Sequence, residues 1–299
     1  MANIRGKYLQ MLVDTFNARF STPKGAVFGS DWFVDGYAGS DDLDGKSPGT
    51  AFATMTQAFT VVGSSDTIYL AGIIEEQITA PQDVFDVSII GTPNRPRHST
   101  ASSVQQGSPA DWRPETTATA TPNLTLREQG WTIENILFDA PDAAACIKLA
   151  RGEIAANMDA SHATIRGCRF VGGGTGIQDA GGCFNVLIEK CVFQSLTNGI
   201  KNTSTAIAVP HGYIIRDNDF RQNTSDILMS LNYSTIDHNR FHMASSIVNT
   251  VYKSAQGDYN MVVENYFCDA AADIKTSATG GTNDVWFNYG TDAAFSAHA

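Results

Sequence analysis

The sequence predicts an all-β fold in which short parallel strands wind into stacked coils, preceded by two helical segments. From residue 131 onward a motif with one aliphatic and one phenylalanine position recurs about every 24 residues. That region lacks the 3.6-residue apolar period of a helical repeat. The 299 residues include 26 glycines and only 17% are charged, which favours strands and turns over long helices.

Residues 1–25 are predicted to form an amphipathic helical arm. Apolar side chains recur every four residues at Tyr8, Leu12, Phe16 and Phe20, so they lie on one face of a helix. Such a stripe must be covered. Either the arm packs on the protein's own coils, or it docks on another subunit or a partner assembly.

Residues 26–72 are predicted to form a strand, an acidic turn and a short helix that closes the N-terminal end of the coils. Thr54 and Gln57 have the spacing of a capping box at the start of that helix. The turn contains Asp41, Asp42 and Asp44, whose oxygens could bind calcium. The full calcium-loop pattern is missing, so a plain acidic turn is favoured and calcium is the only cofactor suggested.

Residues 73–299 are predicted to form the coils, with a long loop excursion over residues 91–122. The aliphatic position is followed five residues later by phenylalanine, at Phe138, Phe170, Phe193, Phe220, Phe241 and Phe267. Stacking the coils at about 4.8 Å would bury these rings in one internal column. A second column, three residues after the aliphatic position, would form an asparagine ladder that two buried, reduced cysteines continue: Asn218, Asn239, Asn265, Asn288, Cys168 and Cys191.

Charged residues directly after the aliphatic position alternate in sign from coil to coil. They read Glu134, Arg166, Glu189, Arg216 and Asp237. In a parallel stack each would face a neighbour of opposite charge, which supports the alignment of the repeats.

The repeat resembles the right-handed parallel β-helix of the pectate-lyase-like superfamily, and the segment from Trp32 to Phe59 resembles the N-terminal segment of such proteins. The resemblance implies a single-stranded right-handed parallel β-helix with a capping helix and an N-terminal arm. The loop from Asn94 to His98 resembles one found in β-helix proteins that bacteriophages encode.

The candidate catalytic residues are Asp217, His238 and Glu264, which occupy one position of the repeat in successive coils. Paired carboxylates with a histidine could perform general acid–base chemistry on a glycoside. A charged column on such a fold is more often a solvated, ion-paired face, and that interpretation is favoured.

Charge and cysteine content exclude several classes of protein. The formal charge of −11 argues against partners that are nucleic acids or anionic membranes. Five cysteines without a CxxC pair argue against a disulfide framework or a structural zinc site. No apolar segment follows the initial methionine, so the expectation is a protein made in the cytoplasm without a signal peptide.

Two functions follow from the resemblance. The first is a structural virion protein of a bacteriophage, tailspike-like or capsid-decorating, which forms a homotrimer, attaches to capsid or tail proteins through the arm and contacts host glycan. The second is a polysaccharide lyase or endoglycosidase acting on surface carbohydrate, with a sugar platform drawn from Trp112, Trp131, Tyr213 and Tyr233. At least one of the two tyrosines is expected to lie in the core. A glycan-binding adhesin without chemistry is a third alternative.

Overall fold

A computed structural model describes residues 29–92, 110–115, 120–150, 159–202, 209–242, 249–252, 259–267 and 285–290. The predicted arm, with Tyr8, Leu12, Phe16 and Phe20, lies outside the described residues, as does the segment from Asn94 to His98.

The first half of the chain contains one 3-10 turn (Pro48–Thr50), helix α1 (Met55–Val61) and the first strands. These are β1 (Asp31–Asp35), β2 (Thr67–Ala71), β3 (Ile73–Glu75), β4 (Ile78–Thr79), β5 (Ser88–Gly91), β6 (Asp111–Arg113), β7 (Leu124–Leu126), β8 (Thr132–Glu134), β9 (Leu137–Ala140) and β10 (Ala145–Leu149).

The second half continues with strands alone in its described part. They are β11 (Thr164–Arg166), β12 (Arg169–Gly172), β13 (Thr175–Asp179), β14 (Leu187–Glu189), β15 (Val192–Gln194), β16 (Asn198–Asn202), β17 (Ile214–Arg216), β18 (Asp219–Arg221), β19 (Ser225–Leu228), β20 (Thr235–Asp237), β21 (Arg240–His242), β22 (Asn249–Tyr252), β23 (Met261–Phe267) and β24 (Val285–Gly290).

These strands form three parallel faces of one right-handed β-helix, as predicted. The first face pairs β1, β2, β5, β8, β11, β14, β17, β20, β23 and β24 in that order. The second pairs β3, β6, β9, β12, β15, β18, β21 and the end of β23. The third pairs β4, β7, β10, β13, β16, β19 and β22.

The predicted phenylalanine column is confirmed. From Phe138 to Phe267 successive rings stack with centroids 4.8–5.4 Å apart, and Trp112 extends the stack at 5.7 Å from Phe138. The spacing matches the rise between parallel strands because each ring occupies the same position in its coil. One continuous apolar core therefore runs through the coils.

Asparagine side chains bond adjacent coils at the corner between the first and second faces, here called the first corner. The Asn239 side chain accepts hydrogen bonds from the backbone N–H and the side-chain Nδ2 of Asn218, and its own Nδ2 donates to the carbonyl of Ile215. Asn265 bonds to Asn239 in the same way. Every hydrogen-bonding group of the buried Asn239 carboxamide is thus satisfied.

The cysteines of the described chain are reduced and buried, as expected of small core residues. They are Cys146, Cys168, Cys183 and Cys191. Cys191 continues the asparagine column, since its backbone N–H donates to Asn218 Oδ1 at 2.9 Å.

Helix α1 begins with half of the predicted capping box. The Thr54 side chain accepts a hydrogen bond from the Gln57 backbone N–H, but Asp41 instead of Gln57 accepts the Thr54 N–H. Glu76 accepts two more N–H groups of the first turn, from Met55 and Thr56. Acidic side chains therefore satisfy donors that a helix start leaves free.

The predicted excursion over residues 91–122 includes a strand. β6 (Asp111–Arg113) pairs with β3 and β9, so the chain returns to the second face before residue 122. Within the described part of the chain, no helix is long and apolar enough to cross a membrane.

Candidate functional site

The predicted catalytic residues lie along the first corner, at the residue where the chain bends between two faces. The bend needs a left-handed backbone, with φ between 54° and 63° in the coils from Asn135 to Glu264. The column consists of Asn135, Gly167, Lys190, Asp217, His238 and Glu264. The repeat places Asp217, His238 and Glu264 together because every coil turns at this residue.

His238 contacts carboxylates through both ring nitrogens. Nε2 lies 2.7 Å from Glu264 Oε2, and Nδ1 lies 2.8 Å from Asp237 Oδ2. The hydrogen bond to Asp237 raises the pKa of His238, with smaller contributions from Glu264 and Asp217. About half of each side chain remains exposed, 54% for His238 and 48% for Glu264. The cluster is a solvated ridge on which neither ring nitrogen of His238 is free for a substrate.

The first four of the five alternating charges form ion pairs along the first face, as predicted from the register, whereas Asp237 contacts His238. Arg166 contacts Glu134 at 3.0 Å and Glu189 at 3.9 Å, and Arg216 contacts Glu189 at 2.8 Å. The hydrogen bond to Glu189 raises the pKa of Arg216. The pairs connect four successive coils, and because the two arginines are 41% and 45% exposed, each pair contributes only modestly to stability.

The carboxylate of Asp41 connects the acidic turn to the start of helix α1. Asp41 accepts hydrogen bonds from the backbone of Ala53 and from the backbone and hydroxyl of Thr54, at 2.8–3.0 Å. A hydrogen bond from Thr50 lowers the pKa of Asp44. Among the residues described, no three His, Cys, Asp or Glu side chains are grouped as a metal site requires. Calcium binding at Asp41, Asp42 and Asp44 stays a prediction.

A second acidic cluster lies on the second face, and sequence reasoning missed it. The buried carboxylate of Asp111 pairs with Arg113 at 2.5 Å, while Asp111 Oδ1 is buried without a partner. Burial, followed by the charge of Asp111, raises the pKa of the partly buried Asp139. Two carboxylates in unlike environments suit proton transfer.

Glycines keep space open beside this cluster. A Cβ on Gly172, whose φ is 109°, would stand 2.7 Å from Asp139 Oδ1, and one on Gly173 would stand 2.9 Å from Asp142 Oδ1. The signal available in the sequence is the run Gly172–Gly174, one coil after Asp139.

The predicted sugar platform is wrong for three of its four aromatic residues. Trp112, Trp131 and Tyr213 are buried, and their polar atoms donate to Glu76 O, Val84 O and Asp179 Oδ2 respectively. A tyrosine in the core was expected, and Tyr213 confirms it. Tyr233 is 66% exposed.

The three parallel faces and the stacked interior define a parallel β-helix protein. Residues 118–291, more than half of the chain, match the family described as "Periplasmic copper-binding protein (NosD)". The chain belongs to this family. No curated protein matches the sequence.

Several solved structures are similar in arrangement at low sequence identity. The tailspike protein of E. coli bacteriophage HK620 is 10% identical with a TM-score of 0.44, over 96% of this chain and 63% of that one. A rhamnogalacturonan lyase is 11% identical with a TM-score of 0.40, over 87% of both chains. The periplasmic alginate epimerase AlgG is 10% identical with a TM-score of 0.38, over 80% of this chain and 63% of that one. The chain thus spans less than two thirds of the epimerase and of the tailspike.

Proposed function

We propose that the protein is a structural component of a bacteriophage virion, a trimeric shaft that attaches to capsid or tail proteins through residues 1–25 and contacts host glycan. The observation that carries the proposal is the unbroken interior. The aromatic stack continues from Trp112 to Phe267, so the coils form one rigid body.

The outer charges support a structural role. Glu189 is almost fully covered between Arg166 and Arg216, and His238 is held between two carboxylates. These groups bond one coil to the next. Two sequence features also support a particle-bound phage protein. The loop from Asn94 to His98 resembles one found in phage-encoded β-helix proteins, and residues 1–25 are predicted to form an apolar arm.

Solution mass tests the proposal. One chain has a mass of 32.1 kDa, so light scattering on the full-length protein should give about 96 kDa, three times that value. The matched variant carries Leu12→Asp and Phe16→Asp in the predicted arm. If the arm serves attachment and the β-helix itself assembles, this variant keeps the trimer mass. A monomeric wild-type protein would contradict the proposal.

The Asp111–Asp139 cluster favours a second candidate function, a polysaccharide lyase or endoglycosidase. The raised pKa of Asp139 would let it hold a proton for a leaving group, and the Asp111 carboxylate, which contacts Arg113, lies on the same face. The test is turnover of a panel of acidic and neutral polysaccharides, followed as new reducing ends and unsaturated products. Loss of activity in Asp139→Asn would place the chemistry on the second face, and loss in His238→Gln would place it on the ridge. Absence of turnover by wild-type protein would contradict this alternative.

The family's description mentions copper binding, but the described residues of this chain do not form a cluster of copper ligands. No group of three His, Cys, Asp or Glu side chains is present in that part of the chain. Burial raises the pKa values of Cys146 and Cys191 well above the ordinary value, which opposes the thiolate form in which cysteine binds a metal. No copper function is proposed.

A further inference from the structure

Two exposed tyrosines stack on each other at the corner between the third and first faces, here called the third corner. Tyr233 and Tyr259 precede β20 and β23 by two residues, so they occupy equivalent positions in successive coils. Their rings are parallel to within 2°, with centroids 5.0 Å apart, and the residues are 66% and 50% exposed. Tyr233 and Tyr259 are called the tyrosine pair below.

The backbone at this corner does not favour tyrosine. Every coil turns here through a left-handed residue, and Tyr233 and Tyr259 have φ values of 49° and 60°. The earlier coils use residues that include glycine, asparagine and aspartate: Asp86, Gly130, His162, Asn185 and Gly212. A bulky residue with positive φ is an outlier, and exposed rings recover little packing in return. Glycine or asparagine would adopt this backbone conformation at a lower energetic cost than tyrosine.

The pair presents a stepped aromatic surface. Parallel rings in contact are about 3.5 Å apart, so a 5.0 Å centroid distance means that one ring is offset from the other. The offset thus leaves part of the Tyr233 ring beyond the edge of the Tyr259 ring. The column position before Tyr233 is Gly212, which has no side chain to cover the outer face of the Tyr233 ring.

Polar residues occupy the same corner in the two coils before Tyr233. A Cβ on Gly212 would stand 2.2 Å from Asn185 Oδ1, so the Asn185 carboxamide lies over the glycine. His211 is exposed, and its ring is fixed by a 2.7 Å contact of Nδ1 with Val209 O and by an edge contact with Phe184. A flat apolar face with an amide and an imidazole in the preceding coils of the same corner suits a ligand with an apolar ring face and hydroxyl groups at the rim.

We propose that the tyrosine pair, with Asn185 and His211, is a binding platform for the pyranose rings of a neutral glycan. The two rings cover each other's inner faces, so a sugar ring stacks on the outer face of Tyr233, while Tyr259 supports the Tyr233 ring from behind. The net charge of −11 disfavours acidic polysaccharides and nucleic acids. The platform locates the glycan contact of the proposed function and rests on it in that respect.

Binding by the full-length protein tests the platform. The probes are an array of bacterial surface polysaccharides and three soluble hexasaccharides, maltohexaose, cellohexaose and mannohexaose, with affinity measured by saturation-transfer NMR. Tyr233→Asn and Tyr259→Asn suit the left-handed backbone and should each lower affinity at least tenfold. Tyr266→Asn is the matched control, because Tyr266 is 44% exposed on β23 and pairs across the second face. Its affinity should stay within twofold of wild type.

Three outcomes would overturn the inference. The first is that the wild-type protein binds none of the neutral probes. The second is that all three variants bind with the same affinity as wild type. The third is that light scattering shows loss of the oligomer in the Tyr233→Asn variant. The last would identify the pair as a contact between copies of the chain. A trimer that binds no glycan would refute the platform and leave the structural role standing, whereas a monomer that binds through Tyr233 would do the reverse.

Discussion

Asp226 places a carboxyl group inside the β-helix. Its replacement by asparagine tests how much an ionised carboxylate at this position destabilises the folded protein. The residue is fully buried on β19, opposite Gly199 of the preceding coil. Its Oδ1 accepts one hydrogen bond from Asn223 at 2.8 Å, and its Oδ2 is buried without a partner. Burial raises the pKa of Asp226 from 3.8 to about 7, and the hydrogen bond from Asn223 offsets only part of that effect.

The pKa difference converts into a pH-dependent stability. Between pH 4 and 7 the folded protein holds the Asp226 proton and the unfolded chain does not, so the free energy of unfolding falls as pH rises through that window. A difference of about 3 units corresponds to about 4 kcal/mol between the two ends of the window. Asp226→Asn keeps the bond to Asn223 and removes the charge. The free energy of unfolding of the variant minus that of wild type should therefore be about 4 kcal/mol larger at pH 8 than at pH 4.

Urea denaturation of both proteins at pH 4 and pH 8 measures this change. Subtracting wild type from variant at each pH cancels the titration of all other groups. Asp179→Asn is the contrasting control, because Asp179 is buried but accepts hydrogen bonds from three backbone N–H groups and from Tyr213. That variant should be less stable than wild type at pH 8. A variant-minus-wild-type difference for Asp226→Asn that changes by less than about 1 kcal/mol would refute the reasoning.

Three further predictions concern the columns of the coils. Asn239→Ala removes the acceptor for two donors of the preceding asparagine, so the free energy of unfolding in urea should fall by about 3 kcal/mol; no loss would contradict a bonded asparagine column. Gly176→Ala places a Cβ 2.6 Å from a carbonyl and 2.9 Å from a ring of the aromatic stack, and should cost about 1–3 kcal/mol in the same assay. Asp237→Asn removes the largest cause of the raised pKa of His238, so an NMR titration should show that pKa falling; an unchanged value would argue against the ridge geometry.

The repeat made most of the fold predictable because a parallel β-helix aligns equal positions of successive coils. Phe193 and Phe220 were predicted to stack from spacing alone, and their ring centroids lie 4.8 Å apart. The alternation of Glu189 and Arg216 likewise predicted a contact that the register produces. Such columns depend only on the period, which sequence displays directly.

The acidic cluster on the second face could not be predicted in the same way. Asp111 lies in β6, whose sequence shows no repeat motif, and it reaches Asp139 only because β6 pairs with β9. The burial of Trp112 beside it has the same origin, since the ring joins the stack at Phe138. Tyr213 and Tyr233 lie at different positions of the third corner, and the spacing does not show which of these positions faces the core. The structure buries Tyr213 and exposes Tyr233.

A cryo-electron microscopy map of the full-length protein tests the central claim most directly. The account predicts a particle of three parallel β-helices, with the arms that carry Tyr8, Leu12, Phe16 and Phe20 grouped at one end and available to a partner. A single β-helix whose arm folds back onto its own coils would contradict it.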